Sequence, residues 1–172
     1  MIDLAGRLAA IDLEGYESEH HVHSYERWFG TAVTPDGEVH VADRIGTATT
    51  ALQIDAGNDT WGSWTQVLGG SDTPATAGMT KYDFHRIFVS ATERTAVHFI
   101  QFGFGASGAA ALSSGDYTEF VFEPSSNQVE EAPIELQGRR QDVGTKVWAR
   151  AYIPGQNTGT ISFFAGLHEY ER

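Results

Sequence analysis

The chain of 172 residues contains no cysteine, only 2 lysines and only 8 leucines. Without cysteine, a disulfide, a thiolate nucleophile and a cysteine-ligated zinc site are all excluded. The scarcity of lysine leaves 11 basic residues against 23 acidic ones, which gives a formal net charge of −12. Such an acidic chain is repelled by a phosphate backbone and by an anionic membrane surface. We therefore expect no nucleic acid and no membrane among its partners.

Signals for export, membrane insertion and catalysis are also missing from the sequence. Asp3 and Arg7 interrupt the region where a signal peptide needs a continuous apolar stretch. No window approaches the roughly 18 consecutive apolar residues of a membrane helix. The motifs GxSxG, HExxH and the P-loop are absent as well. These absences lead us to expect a soluble, non-enzymatic protein that is made in the cytoplasm and needs no cofactor.

Valine, isoleucine and aromatic residues are abundant, and they favour strands over helices. Valine and isoleucine together occur 20 times, and aromatic residues make up 12% of the chain. Alternating or strand-like patterns, separated by turn signals, cover residues 39–42, 82–90, 97–104, 117–122, 146–153 and 160–166. Many short strands separated by turns predict an all-β fold, either a β-sandwich or a jelly roll.

Three local features refine this prediction. Alternation along residues 82–90 places Tyr82, Phe84 and Phe88 on one face of a strand, and His85, Ile87 and Val89 on the other. The small residues of 103–115 indicate a loop that crosses close to another backbone. His85, His98 and His168 are isolated in strand-like segments, so we interpret each one as a structural residue.

Residues 1–24 are predicted to form an N-terminal arm or a short helix ahead of a β-sandwich domain at residues 25–172. Two alanines favour a helix over residues 2–13 and Gly6 opposes it. The apolar side chains of the arm need a partner surface in either case, so we predict that they bind a partner: Ile2, Leu4, Leu8, Ile11 and Leu13.

A cluster of histidine and acidic residues follows the arm and is a candidate metal site. Imidazole and carboxylate groups bind zinc, nickel or iron. In a strand, His21 and His23 project to the same side, and His20 lies beside them. No third ligand stands at a diagnostic spacing, so an exposed polar segment is the alternative. A single histidine from each of three copies on a symmetry axis is a further way to form the site.

Two other segments are candidate partner-binding regions. Trp61 and Trp64 lie in a predicted loop, where their rings either stack on sugars or close the end of the core and fill a subunit contact. Arg139 and Arg140 form the only basic pair, which either anchors an acidic neighbour or is solvated at a hairpin end.

Three segments together resemble the small virion proteins of tailed bacteriophages, in particular capsid decoration proteins. They are ESEHHVHSYERWFG at 17–30, TALQIDAGNDTWGSW at 50–64 and KVWARAYIPGQNTGTISFFAGLHEYER at 146–172. This resemblance implies a β-sandwich or jelly roll that assembles as a homotrimer and binds the major capsid protein on the outer head surface. It also implies synthesis in the host cytoplasm and no active-site residues.

The sequence therefore supports three function hypotheses. The leading one is a capsid decoration protein that stabilises the head. The second is a carbohydrate- or receptor-binding module of a virion, based on Trp61 and Trp64. The third is a metal-dependent enzyme that uses His21, His23 and His40.

Overall fold

A computed structural model describes residues 51–68, 80–124, 133–136 and 138–170, together with the backbone of residues 27–29 and 41–42. The whole of the predicted arm lies outside the described residues, including Ile2, Leu4, Leu8, Ile11 and Leu13. The histidines of the candidate metal cluster, His20, His21 and His23, also lie outside them, as does His40.

The described residues form eleven strands and one short helix. In chain order they are β1 (Arg27–Phe29), β2 (Val41–Ala42), β3 (Leu52–Ala56), β4 (Thr65–Leu68), β5 (Lys81–Thr92), β6 (His98–Phe104), α1 (Gly108–Ser114), β7 (Tyr117–Phe122), β8 (Ile134–Glu135), β9 (Gln141–Asp142), β10 (Val147–Tyr152) and β11 (Gly159–Tyr170). The all-β prediction is confirmed, and each segment predicted as a strand contains one.

The strands are hydrogen-bonded into one mixed sheet with β11 near its centre. β5 runs antiparallel along one edge of β11, while β3 and β1 pair with the other edge. β3 also meets β10 in parallel, and β10 continues antiparallel through β6 to β7. β2 extends the sheet beyond β1, β4 pairs with β10, and both β8 and β9 pair with β5.

The sheet curls so that its β5–β11 half faces its β10–β6–β7 half. The ring centroid of Phe102 in β6 lies 4.9 Å from that of Phe84 in β5 and 5.6 Å from that of Phe163 in β11. Since β3 and β10 separate β6 from β11 in the strand order, only a curled sheet brings these rings together. The pairing forms one continuous sheet, so the finer expectation of a β-sandwich or jelly roll stays a prediction.

Alternating side chains from both halves fill the space inside the curl. In β10 and β6 the inward residues are aliphatic or aromatic and the outward ones are half-exposed or polar. Fully buried side chains include Tyr82, Phe84, Ile87, Ile100, Phe102, Val147, Ile161, Phe163 and Leu167. Burial of this much apolar surface is the dominant favourable contribution to folding.

The face assignment of β5 is wrong beyond Phe84 because a β-bulge interrupts the alternation. Between Gly166 and Leu167 of β11 the register shifts, so that Arg86 pairs with Gly166 and Phe84 pairs with Leu167. His85 is therefore the extra residue of the bulge. Ile87 and Val89 are buried like Tyr82 and Phe84, whereas Phe88 is only half-buried. A bulge changes the facing of every later residue, which a strict period of two does not predict.

The prediction of a loop over residues 103–115 is also wrong in its conformation. β6 continues to Phe104, and α1 occupies Gly108–Ser114. Ser107 caps the helix, because its side-chain oxygen accepts a hydrogen bond of 3.1 Å from the Ala110 backbone N–H. Within the described part of the chain, no helix has the length and apolar character that crossing a membrane requires.

Candidate functional site

The outer face of β10, β6 and β7 carries an ordered array of aromatic and charged side chains. Cross-strand pairing places Tyr152 opposite Phe99, and Arg150 opposite Gln101. The same pairing continues onto β7, where Glu119 lies opposite Gln101. We call the half-exposed set formed by Trp61, Trp64, Phe99, Arg150 and Tyr152 the aromatic face.

Trp61 and Trp64 reach this face because their loop approaches the sheet backbone closely. Gly62 donates its backbone N–H to the Ala151 carbonyl of β10 at 2.8 Å. A Cβ atom at Gly62 would collide with the Asp55 carbonyl oxygen of β3, so only glycine fits there. These two contacts hold the loop against β10 and β3 at Gly62, with Trp61 before this residue and Trp64 after it.

Arg150 is the centre of the aromatic face. Its guanidinium carbon lies 4.7 Å from the ring centroid of Trp61 and 4.4 Å from that of Trp64. Both distances are within the range of a cation–π contact. Its Nε donates a 2.8 Å hydrogen bond to Gln101, whose side-chain amide donates in turn to Glu119. The guanidinium is therefore oriented before any partner arrives.

Both tryptophans are half-buried, and their contacts explain how the rings are held. Trp64 packs against α1, where a Cβ atom at Gly108 would collide with its ring. Trp61 lies 5.8 Å from the Tyr152 ring, measured between centroids. Partial burial and the neighbouring Asp59 carboxylate raise the pKa of Tyr152. The rings of Trp61 and Trp64 therefore pack against the β10–β6–β7 half on one side and are partly exposed on the other.

An exposed strand edge borders the aromatic face. β7 is the last strand of its half, and among the described strands it pairs only with β6. The exposed large apolar side chains of the described residues lie here and on the adjoining helix: Leu112, Tyr117 and Val121. Such an edge presents unpaired backbone groups that accept another strand.

A second site lies on the outer side of β5 and β11, where two histidines and an aspartate converge. Asp83 is directly opposite His168 in the sheet, and the bulge brings His85 beside them. The rings of His85 and His168 stack with centroids 3.7 Å apart. One ligand atom from each of the three side chains lies within 4.8 Å of the others. We call Asp83, His85 and His168 the histidine cluster.

Tyr170 and Arg140 support the carboxylate of the histidine cluster. The Tyr170 hydroxyl donates a hydrogen bond to Asp83 Oδ2, and the Arg140 guanidinium lies 3.5 Å from the Tyr170 ring centroid. Burial raises the pKa of Asp83, while the Tyr170 hydrogen bond, His85 and Arg140 act in the opposite direction. Burial and the Asp83 carboxylate also raise the pKa of Tyr170 to about 12.

The histidine cluster opens to solvent through a pocket of about 380 Å³. Asp83 and His85 of β5 and Glu135 of β8 are among the residues that line it. Glu135 lies 3.7 Å from the Arg86 guanidinium. The pocket is mixed in polarity and brings three titratable side chains to one opening.

His85 and His168 are not isolated from each other in the structure, whereas the interpretation of the three histidines as structural residues stays a prediction. His85 and His168 are 83 residues apart in the chain, yet their rings stack because β5 and β11 are paired. His98 does fit a structural role, since its Nδ1 contacts the Ala96 carbonyl at 2.6 Å and its ring stacks on Phe122. Burial lowers the pKa of His98.

The predicted partner-binding residues that the structure describes divide between these two sites. Trp61 and Trp64 lie together on the aromatic face, as their short spacing suggested. Arg140 contacts Tyr170 beside the histidine cluster, and Arg139 is exposed next to it. Sequence reasoning missed Arg150, although its alternation with Trp148 and Tyr152 was a usable signal. It also missed Asp83, for which the sequence carried no signal.

Comparison of the chain with protein-family models, with curated proteins and with solved structures finds no match in any of the three.

Proposed function

We propose that this chain is a non-enzymatic binding protein of a virion, a capsid decoration protein that docks on the major capsid protein through the aromatic face. The observation that carries the proposal is Arg150, held between Trp61 and Trp64 on a half-exposed surface. Tryptophan, tyrosine and arginine are the residues most enriched at the energetic centres of protein–protein interfaces. The resemblance to decoration proteins supplies the identity of the partner.

The pre-oriented geometry of the aromatic face favours this use. Arg150 is fixed by Gln101 and by two rings, and Tyr152 is fixed by Trp61 and by a hydrogen bond to Asp59. Side chains that are already ordered lose little conformational freedom on binding, so more of the contact energy remains as affinity. A surface that is ordered before binding suits docking on the outer wall of a protein shell.

Self-association as a homotrimer belongs to the same proposal. The outer edge of β7, which no other described strand covers, offers backbone groups for strand addition by a second copy, and Tyr117 and Val121 are exposed beside that edge. The net charge of −12 keeps single copies apart before they assemble. Light scattering after size exclusion tests this part, and a strict monomer at high protein concentration contradicts it.

Binding to heads that lack this protein tests the docking partner. Co-sedimentation of the full chain with such heads should show saturable binding. Trp61→Ala should weaken it about thirtyfold or more, the effect of losing a contact of about 2 kcal/mol at the centre of an interface. Phe164→Ala is the matched control, because Phe164 is a half-buried aromatic residue on β11 with Phe88 as its ring neighbour. Equal effects of the two substitutions, or no binding by the wild type, contradict the proposal.

The arm is tested separately, by removing residues 1–14 from the chain. Docking on heads should be abolished while the thermal unfolding transition of the β domain remains. Full retention of docking would rule out a role for the apolar side chains of the arm.

A second candidate function is carbohydrate binding at one end of the aromatic face. Trp61 and Tyr152 present two tilted rings beside the exposed carboxylate of Asp59, and rings with adjacent acceptors suit a sugar. Glycan-array binding that disappears in Trp61→Ala would support this function. An absence of signal across a broad array, together with head binding, would favour docking on protein.

A further inference from the structure

The histidine cluster offers three donors of the type that first-row transition metals prefer. Two imidazoles and one carboxylate are a common ligand set for zinc and for iron in proteins. Their ligand atoms lie within 4.8 Å of one another. A tetrahedral zinc ion with bonds of about 2.1 Å needs its ligand atoms about 3.4 Å apart. Binding an ion therefore requires the three side chains to move closer together by rotation about their side-chain bonds.

The backbone of β5 is adapted to bring these donors together. In a regular strand Asp83 and His85 point to the same side but reach different cross-strand neighbours. The bulge at His85 shifts the register and lets its ring lie against His168. Bulges often re-aim a side chain next to a functional site. Here the irregularity gathers the three groups around one point.

We propose that Asp83, His85 and His168 bind a divalent transition-metal ion of the zinc type. Such a site ties β5 to β11 and is separate from the histidines at positions 20, 21 and 23.

The surroundings of Asp83 fit a metal ligand that is held in place by a neighbouring side chain. Tyr170 donates to Asp83 Oδ2, while Asp83 Oδ1 is buried and lies 3.8 Å from His168 Nδ1. That distance is too long for a hydrogen bond. One carboxylate oxygen is therefore oriented by the tyrosine while the other faces an imidazole. Outer partners of this kind orient metal ligands and tune their basicity.

A metal ion must reach the histidine cluster from solvent, and the two stacked imidazole rings must turn to bind it. The pocket of about 380 Å³ is lined by Asp83 and His85, so an ion reaches the donors from solvent. Glu135 lines the same pocket, where it lies 3.7 Å from the Arg86 guanidinium. Because a metal ion binds in the plane of an imidazole ring, His85 and His168 must rotate out of their stack. Metal binding therefore changes the relative orientation of the two rings.

Calorimetric titration with ZnCl₂ tests the site in the full chain, prepared without a histidine tag. The background variant carries His20→Ala, His21→Ala and His23→Ala, which removes the other candidate ligands. This background should bind one zinc ion per chain. Adding Asp83→Asn or His168→Gln should weaken binding tenfold or more, and Tyr170→Phe should weaken it about tenfold to a hundredfold. His98→Gln is the matched control and should leave the affinity unchanged.

X-ray absorption at the zinc edge identifies the ligands in the zinc-loaded background variant. This measurement needs no further substitution, so it remains informative if the other variants fail to fold. A first shell with two imidazoles and at least one carboxylate oxygen supports the site. A shell with one imidazole or none overturns it. No zinc binding by the background, or equal binding by its folded Asp83→Asn form, overturns it as well.

Discussion

The aromatic face and the histidine cluster lie on the two halves of one curled sheet, and they are built by opposite means. The aromatic face follows a regular register of β10 and β6, which sets Tyr152 opposite Phe99, and the loop before β4 adds the two tryptophans. The histidine cluster depends on a break in the register, where the bulge at His85 makes side chains converge. The regular register spreads side chains over an extended surface, which suits a macromolecule. The bulge brings three side chains together at one place, which suits a small ion.

Both regions rest on the same aromatic core. Phe102 lies directly beneath the aromatic face on β6, and its ring contacts Phe84, the neighbour of Asp83 and His85 on β5. Because the two halves share this packing, their stabilities are coupled even though their outer surfaces are separate.

Phe102→Ala should have the largest effect, because it removes the support that both regions share. Loss of a fully buried phenylalanine costs about 3–5 kcal/mol of unfolding free energy. Urea unfolding should show one destabilised transition, with tryptophan fluorescence and far-UV circular dichroism changing together. Val121→Ala, at an exposed position, should change the free energy by less than about 0.5 kcal/mol. Separate transitions for the two probes would show that the halves are independent.

Gly62→Ala should disturb the aromatic face and leave the histidine cluster intact. Its Cβ atom would collide with the Asp55 carbonyl, so the tryptophan loop must move at a cost of about 1–3 kcal/mol. Tryptophan fluorescence of the folded variant should shift to the red. Ser63→Ala, an exposed neighbour in the same loop, is the control. An unchanged spectrum would mean that Gly62 does not position the tryptophans.

Arg150→Met should have a smaller effect that is confined to the surface. It removes the cation between Trp61 and Trp64, a contribution of about 0.5–2 kcal/mol to the free energy of unfolding. Arg150→Lys keeps the charge but loses the planar group and the Nε hydrogen bond to Gln101, so it should recover only part of that loss. Thermal unfolding of the wild type, Arg150→Met and Arg150→Lys ranks their stabilities. Full recovery of stability by lysine would contradict guanidinium stacking as the source of the contribution.

Asp83→Asn should mainly change how the free energy of unfolding depends on pH. Burial raises the pKa of Asp83 above its ordinary value of 3.8, so the folded chain holds this proton more tightly than the unfolded chain does. The contribution of Asp83 to stability therefore falls as the pH rises above about 3.8. Asparagine does not ionise, so the variant should gain stability relative to the wild type as the pH rises from about 3.8 towards the raised pKa of Asp83. Urea unfolding at several pH values, in a buffer with chelator, measures the difference in unfolding free energy between the variant and the wild type. A difference that does not change with pH would contradict the prediction.

Much of the fold follows from patterns of a few residues. Val147, Ala149 and Ala151 alternate with Trp148, Arg150 and Tyr152, and β10 has that facing. The short strands β1, β3, β4, β8 and β9 escaped prediction because they have few residues in which to show a period. The helix α1 escaped it because alanine, serine and glycine at 107–115 carry no apolar stripe.

The candidate sites were predictable in part only. The spacing of Trp61 and Trp64 marked them as a pair, but nothing local indicated that Arg150 would lie between them. His85 and His168 looked isolated because they are far apart in the chain. Their stacking depends on the pairing of β5 with β11, which is a long-range hydrogen-bond register.

The sequence by itself determined the all-β class, the acidic surface and the exclusion of cysteine chemistry, because composition and a period of two act locally. The tertiary structure alone decided the curl, the bulge at His85 and the meeting of Arg150 with the two tryptophans. These depend on register between distant strands, where a shift of one residue exchanges the inner and outer faces of everything that follows.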